Sequence, residues 1–183
     1  MTTLQTALGL ANVTVSTGVG GAQAGNITVA NALTWGAATV LTLDAANSIT
    51  INAPITINGA GGLRLNYNAV AVSNLTFGAS GKVSYAGAGS IAGQTYNVNG
   101  TAYTLVYTMA QLDAIDALNG VDGSALAVYG AGLAGNYALA SDLNASGTAY
   151  TRALVAMDIS GEDPARGFTG IFNGLGNKID NLR

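Results

Sequence analysis

Short segments in which a polar or small residue stands between two apolar residues recur through the first half of the chain. They are Ile27-Thr28-Val29, Leu33-Thr34-Trp35, Leu41-Thr42-Leu43, Ile49-Thr50-Ile51, Ile55-Thr56-Ile57, Leu63-Arg64-Leu65, Val70-Ala71-Val72, Leu75-Thr76-Phe77 and Val83-Ser84-Tyr85. In a β-strand, the flanking residues of such a triplet face one side and the middle residue faces the other. Each triplet therefore predicts a short strand with one apolar face, and Trp35 is expected in the core.

The triplets are regularly spaced, because three successive triplets recur twice in the same order and at nearly equal intervals. Named by the first residue of each triplet, the three series are Ile27–Ile49–Val70, Leu33–Ile55–Leu75 and Leu41–Leu63–Val83. Their common period of about 20–22 residues, with three short strands in each, is typical of a β-solenoid. The sequence thus predicts an all-β fold, a parallel β-helix with three short strands per coil, and such coils are most often right-handed.

The residues between and within the triplets also fit a coil. Gly36, Asn58 and Gly59 stand where corners are expected, and Gly and Asn accept the positive φ that sharp corners often need. Thr34, Thr56 and Thr76 are expected to form an outward column. An ice-binding face would need a second adjacent Thr column, which the mixed neighbouring positions do not supply, so the β-propensity of Thr explains the column more simply.

The composition changes near residue 100. Three charged residues, Asp44, Arg64 and Lys82, stand in the first hundred positions, and the remaining twelve follow. A helix is predicted over 108–119, where Thr108 and Gln111 have capping-box spacing and an apolar stripe ends at Asn119-Gly120. Asp113 and Asp116 are expected on its solvent face. We divide the chain into a β-helix repeat segment, 1–107, and a helix-decorated continuation of it, 108–183.

The residue types that are missing exclude several function classes. The 183 residues include no His and no Cys, which excludes a Cys/His zinc site and a Ser-His-Asp triad. The net charge of −3 with six scattered basic residues argues against nucleic-acid binding. No apolar run is long enough to span a membrane, and no signal peptide is predicted. We therefore predict no enzyme activity, no catalytic residue and no cofactor.

Two segments resemble a known family. The pattern Leu-Thr-Leu-Asp-Ala…Ile-Thr-Ile-Asn-Ala-Pro-Ile…Gly-Gly-Leu at 41–63 resembles the repeats of filamentous-haemagglutinin-like exoproteins, and 168–182 resembles the GLUG-type motif found in many of them. These are β-helical adhesins exported by two-partner secretion in Gram-negative bacteria. The family's export signal domain is not in the sequence, and Asn177 stands where the motif often has His. The sequence stops at Arg183 within a repeat, so we expect part of a longer protein.

The acidic cluster at 158–163 is the candidate metal site. Asp158, Glu162 and Asp163 could supply hard oxygen ligands to Ca²⁺. They lack the alternating acid spacing of a calcium loop, and the following Pro164 to Gly167 is typical of an exposed loop, so no metal is our first expectation.

The tyrosines allow two interpretations. Tyr67, Tyr85, Tyr96, Tyr103 and Tyr107 could line a carbohydrate groove by stacking, or they could pack within the solenoid, which is the more usual case.

The resemblance implies a structural or adhesive segment of a secreted protein at the cell surface of a Gram-negative bacterium. Its expected partners are other copies, through open solenoid ends, and a surface glycan or host receptor. The alternative is a carbohydrate-binding or polysaccharide-cleaving β-helix, although Asp44 is the single acid of the repeat segment.

Overall fold

A computed structural model describes residues 3–18, 24–68, 74–86, 92–155 and 167–183. Strands are the main secondary structure among these residues, and the helices are short. The chain divides into two compact units, residues 1–103 and 104–183, which are described separately below.

The first unit contains one helix and a succession of short strands. The helix is α1 (Thr3–Leu8). The strands are β1 (Val13–Ser16), β2 (Ile27–Val29), β3 (Leu33–Trp35), β4 (Val40–Asp44), β5 (Ile49–Ile51), β6 (Ile55–Ile57), β7 (Gly62–Asn66), β8 (Leu75–Phe77), β9 (Val83–Tyr85), β10 (Thr95–Val98) and β11 (Thr101–Val106), which continues into the second unit. Every predicted triplet among the described residues is confirmed as a strand, and Val70–Val72 lies outside them.

From β1 to β10, strands that are adjacent in the chain belong to different sheets. The three parallel groups are β2-β5-β8, β3-β6-β9 and β1-β4-β7-β10. Ile49 lies beside Ile27 and Ile55 beside Leu33, so the predicted repeat is confirmed for this step. Along β2 through β6, the flanking residues of each triplet are buried and the middle residue is exposed or half-buried. The apolar sides of these strands therefore form the core.

The predicted register of the next repeat is wrong. Leu75 pairs with Ile49 rather than with Ile55, and Val83 pairs with Ile55 rather than with Leu63. Tyr96, which follows Val83 in the chain, takes the place beside Leu63. The alternation within a triplet indicates which side of the strand is buried, but it does not indicate which strand is the neighbour. Extra loop residues between strands cost little free energy, so the spacing of the triplets need not stay constant. For the same reason, Thr76 stacks on Thr50 and Ser84 on Thr56, so the expected Thr34–Thr56–Thr76 column does not form.

An antiparallel hairpin joins β10 to β11, a feature that the expected parallel arrangement does not contain. Val98 pairs with Thr101 across the two-residue turn Asn99-Gly100. Asn99 and Gly100 have φ of 47° and 83°, the left-handed conformation that such tight hairpin turns need.

Helix α1 lies against an outer edge of the first unit's sheets. The Gln5 side chain donates a hydrogen bond to the Thr34 carbonyl of β3, and the Thr39 hydroxyl donates to the Leu8 carbonyl. An edge strand covered in this way is less available for pairing with a second copy. End-to-end association stays a prediction, and α1 makes it less favourable at β3.

The second unit combines short helical segments with parallel strand pairs. It contains α2 (Met109–Asp113), 3₁₀ turns at Ala114–Asp116 and Gly132–Ala134, and the strands β12 (Asn136–Leu139), β13 (Leu143–Asn144), β14 (Ile171–Asn173) and β15 (Ile179–Asp180). β12 lies between β11 and β14, and β13 pairs with β15, all in parallel. Tyr137 is paired with Phe172, so the strand spacing here is longer than the predicted repeat.

The helix predicted over 108–119 begins where expected and ends early. The Thr108 hydroxyl accepts a hydrogen bond from the Gln111 amide, which confirms the N-cap, and the Gln111 side chain accepts one from the Tyr107 amide. After Asp113 the chain tightens into a 3₁₀ turn, and Ala117 with φ of 62° ends it. The predicted helix is therefore too long by about a turn and a half.

Candidate binding cleft in the first unit

A column of polar residues runs across the carboxyl ends of β1, β4 and β7. Ser16 lies beside Asp44, and Asp44 lies beside Asn66. Asn99 follows β10 and continues the column, because its amide donates a 2.9 Å hydrogen bond to the Leu65 carbonyl. Neighbouring strands are about 4.8 Å apart, so the sheet brings together four polar residues that are distant in sequence.

These residues line a cleft of about 670 Å³. The complete lining is Ser16, Gly18, Asp44, Ala45, Ala46, Asn66, Tyr67, Asn68 and Asn99. We call this the corner cleft. It combines one carboxylate, a hydroxyl group and three side-chain amides with one aromatic ring.

Local hydrogen bonds hold the walls of the corner cleft. The Asn99 side-chain oxygen accepts a 2.9 Å bond from the Tyr67 amide. The Ser16 hydroxyl donates to an Asp44 carboxylate oxygen over 3.4 Å and accepts from the Gly18 amide. The left-handed turn at Asn99 is thus coupled to the backbone that carries Tyr67, so this part of the cleft is formed before any ligand arrives.

Two polar side chains of the corner cleft have hydrogen-bonding capacity to spare. In the part of the chain that the structure describes, neither the Asn66 side-chain amide nor the Tyr67 hydroxyl makes a hydrogen bond within the protein. Burial raises the pKa of Tyr67 above its usual value. The hydroxyl, like that of an ordinary Tyr, is protonated at neutral pH and can donate a hydrogen bond.

The structure separates tyrosines that pack in the interior, the favoured expectation, from one that lines the corner cleft, and the carbohydrate groove stays a prediction. Tyr67 lines the corner cleft, whereas Tyr85 and Tyr96 are each 1 % exposed and belong to the core. Tyr103 packs on Tyr96 with ring centroids 5.3 Å apart. Burial raises the pKa of Tyr96, with smaller contributions from Tyr103 and Tyr67. In the second unit, Tyr107 is buried.

The candidate calcium ligands Asp158, Glu162 and Asp163 lie outside the described residues. Within the described ranges, no three acidic side chains come close enough to hold a metal ion together.

The sequence indicates only part of the corner cleft. Asn residues recur near the expected corners, Asn66 and Asn68 among them, and this recurrence suggests either turn chemistry, which is favoured, or a polar binding strip, while Asp44 stands as a single acid. Asp44 and Asn66 are separated along the chain by one predicted repeat, which could have placed them side by side. Nothing in the spacing predicted Ser16 or Asn99, because the strands that carry them were not predicted.

Two acidic residues of the second unit were expected on a solvent face and are instead buried. Asp113 and Asp116 are 6 % and 8 % exposed. Asp113 accepts a 2.9 Å hydrogen bond from the Gly120 amide, and Asp116 accepts one from the Leu118 amide. They tie down the turns after α2, which explains why a helix surface was the wrong interpretation.

The described residues form a mostly β protein built from repeated, parallel strands, and a polar cleft lies at the carboxyl ends of β1, β4 and β7. Comparison with protein-family models, curated proteins and solved structures finds no match. Among the described residues, no helix has the length and apolar character needed to cross a bilayer.

Proposed function

We propose that the first unit is a segment of a right-handed parallel β-solenoid with a structural role. The observation that supports this most strongly is the pairing of three consecutive strands, β2, β3 and β4, each with the strand one repeat later in a different sheet. A chain with this pairing passes through all three sheets before it returns to the first. Connections between parallel neighbours of one sheet are right-handed in about 98 % of cases, which supports the hand.

Such a segment is stiff for a simple physical reason. Backbone hydrogen bonds join successive repeats, and a continuous core of Ile, Leu and Val lies inside them. The outer positions of β2, β5 and β8 hold Thr28, Thr50 and Thr76, and the hydroxyls of Thr50 and Thr76 are 3.0 Å apart. The exterior therefore needs few charges, which fits the three charged residues in the first hundred positions.

We further propose that this scaffold is an adhesive part of a secreted exoprotein at the surface of a Gram-negative bacterium. The support is the resemblance of segments 41–63 and 168–182 to filamentous-haemagglutinin-like proteins. Segments that link strands would then supply the contact surface, as loops on rigid scaffolds commonly do.

Antibody labelling of intact cells of the producing bacterium tests the surface proposal. We expect labelling without permeabilisation, and loss of the signal after brief protease treatment of whole cells. A cytoplasmic protein serves as the control that must stay unlabelled. Labelling that appears only after permeabilisation would contradict the proposal.

A second candidate function is carbohydrate binding, and the corner cleft is the observation that favours it. Its lining offers hydroxyl, amide and carboxylate groups next to one aromatic ring. Cleavage of a polysaccharide by paired acids would require a second acid beside Asp44, and the described residues that line this cleft include none.

A further inference from the structure

We propose that the corner cleft binds a neutral oligosaccharide of about three sugar residues, with Asp44, Asn66 and Tyr67 as the main contacts. The inference rests on the carbohydrate-binding candidate above and gives it a site, a ligand length and a charge preference. It does not require the surface location or the adhesive role of the scaffold.

The polar groups match adjacent hydroxyls of a sugar. The Asp44 carboxylate can accept hydrogen bonds at both oxygens, and the Ser16 hydroxyl donates to one of them over a long distance of 3.4 Å. The Asn66 amide, which makes no hydrogen bond to another described residue, can donate and accept at the same time. Asp44 and Asn66 lie side by side in the register of β4 and β7, about 4.8 Å apart, so they can bind successive hydroxyl groups.

Tyr67 supplies the apolar part of the contact. Its side chain is half-buried, and it follows Asn66 directly in the wall of the corner cleft. The C–H face of a pyranose ring packs well on an aromatic face, while the phenol hydroxyl keeps a partner on the polar side. A sugar held by both kinds of contact is preferred over a purely polar solute.

The length of the column sets the length of the ligand. Ser16, Asp44, Asn66 and Asn99 occupy four neighbouring strand positions, which span roughly 14 Å at the usual strand spacing. Three linked pyranose rings cover this distance. Affinity is therefore expected to rise from the monosaccharide to the trisaccharide and to change little beyond it.

The charge of the corner cleft favours neutral sugars. Among the described residues, Asp44 is the charged residue in the lining, and no Lys or Arg belongs to it. Arg64 stands two residues before Asn66 on the same outward side of β7, outside the lining. A uronic acid inside the cleft would face the Asp44 carboxylate without a base in contact, which is unfavourable.

Titration of the ¹⁵N-labelled chain with sugars tests the proposal. The probes are the neutral trisaccharides cellotriose, laminaritriose, maltotriose and mannotriose, with trigalacturonate as the acidic comparison. We expect at least one neutral probe to shift the amide resonances of Tyr67 and Asn99 in a saturable manner. Binding is expected to persist in EDTA, because no metal ion takes part.

Three variants assign the contacts. We expect about tenfold weaker binding for Tyr67→Ala and a smaller loss for Tyr67→Phe, which keeps the ring. Asn66→Ala is expected to weaken binding about fivefold. Asn58→Ala is the matched control, because Asn58 is an exposed residue that directly follows β6 and does not line the cleft.

Thermal melting followed by circular dichroism verifies that each variant is folded. The proposal is overturned if no neutral probe binds, if trigalacturonate binds as tightly as the best neutral probe, or if EDTA abolishes binding. It is also overturned if folded Tyr67→Ala and Asn66→Ala variants bind like the unmodified chain. None of these outcomes bears on the surface labelling experiment, so the two proposals fail separately.

Discussion

Asp113 is a residue that is only 6 % exposed, and burial raises the pKa of its carboxyl group above the ordinary value. The Gly120 amide hydrogen bond acts in the opposite direction, and the nearby Asp116 raises the pKa further. An acid whose pKa is raised by folding binds more protons in the folded than in the unfolded state between the two pKa values. Its contribution to stability is therefore largest below the usual pKa of about 4 and is lost as the pH rises.

The substitution Asp113→Asn tests this reasoning, since Asn keeps an oxygen that can accept the Gly120 hydrogen bond. We expect the variant to gain stability relative to the unmodified chain as the pH is raised from 3 towards 7. Urea denaturation at several pH values measures the difference. A difference that does not change with pH would contradict the assigned role of burial, and so would one that changes in the opposite direction.

At the scale of the elements, the corners between strands carry strict spatial requirements. Gly59 lies between β6 and β7, and a Cβ atom added there would be 1.9 Å from the Gly36 carbonyl oxygen. A Cβ atom at Gly36 would meet nothing within 4 Å. The stacked backbones therefore leave no room for a side chain at Gly59, whereas Gly36 has room for one.

Gly59→Ala and Gly36→Ala therefore form a matched pair. We expect Gly59→Ala to lower the free energy of unfolding by about 1–3 kcal/mol, because the backbone has to shift. Gly36→Ala is expected to change it by about 0.5 kcal/mol or less. Urea denaturation of both variants is the measurement, and equal effects would show that the corners do not stack as described.

Alternation along the chain predicted the strands at the element scale, because burial of one face requires it. Ile49–Ile51 and Ile55–Ile57 could be placed in this way, and Thr108 marked the start of α2. The strand partners beyond the first regular repeat could not be predicted from the sequence. The reason is that the distance along the chain from Ile49 to its partner Leu75 does not match the period of the triplets. The corner cleft depends on another such pairing, that of β10 with β7. The regular repeat therefore indicates that Asp44 and Asn66 are neighbours, but it does not predict that Asn99 lies beside them.

At the scale of the whole molecule, the proposed solenoid depends on the stacking of successive repeats in the first unit. Uniform spacing of the triplets places Thr76 beside Thr56. The structure instead places it beside Thr50, with the two hydroxyl oxygens 3.0 Å apart. Thr50 is the neighbour of Thr76 that is compatible with the three parallel sheets described above.

Cysteine pairs distinguish the two arrangements most directly, because the chain has no native Cys. Parallel neighbours lie about 4.8 Å apart, within the Cα separation that a disulfide tolerates. We expect the double variant Thr50→Cys/Thr76→Cys to form an intramolecular disulfide under mild oxidation, and Thr56→Cys/Thr76→Cys to remain reduced. Mass spectrometry of peptides from the folded, oxidised monomer reads out both results. A disulfide in the second variant and none in the first would contradict the stacking on which the proposed solenoid rests.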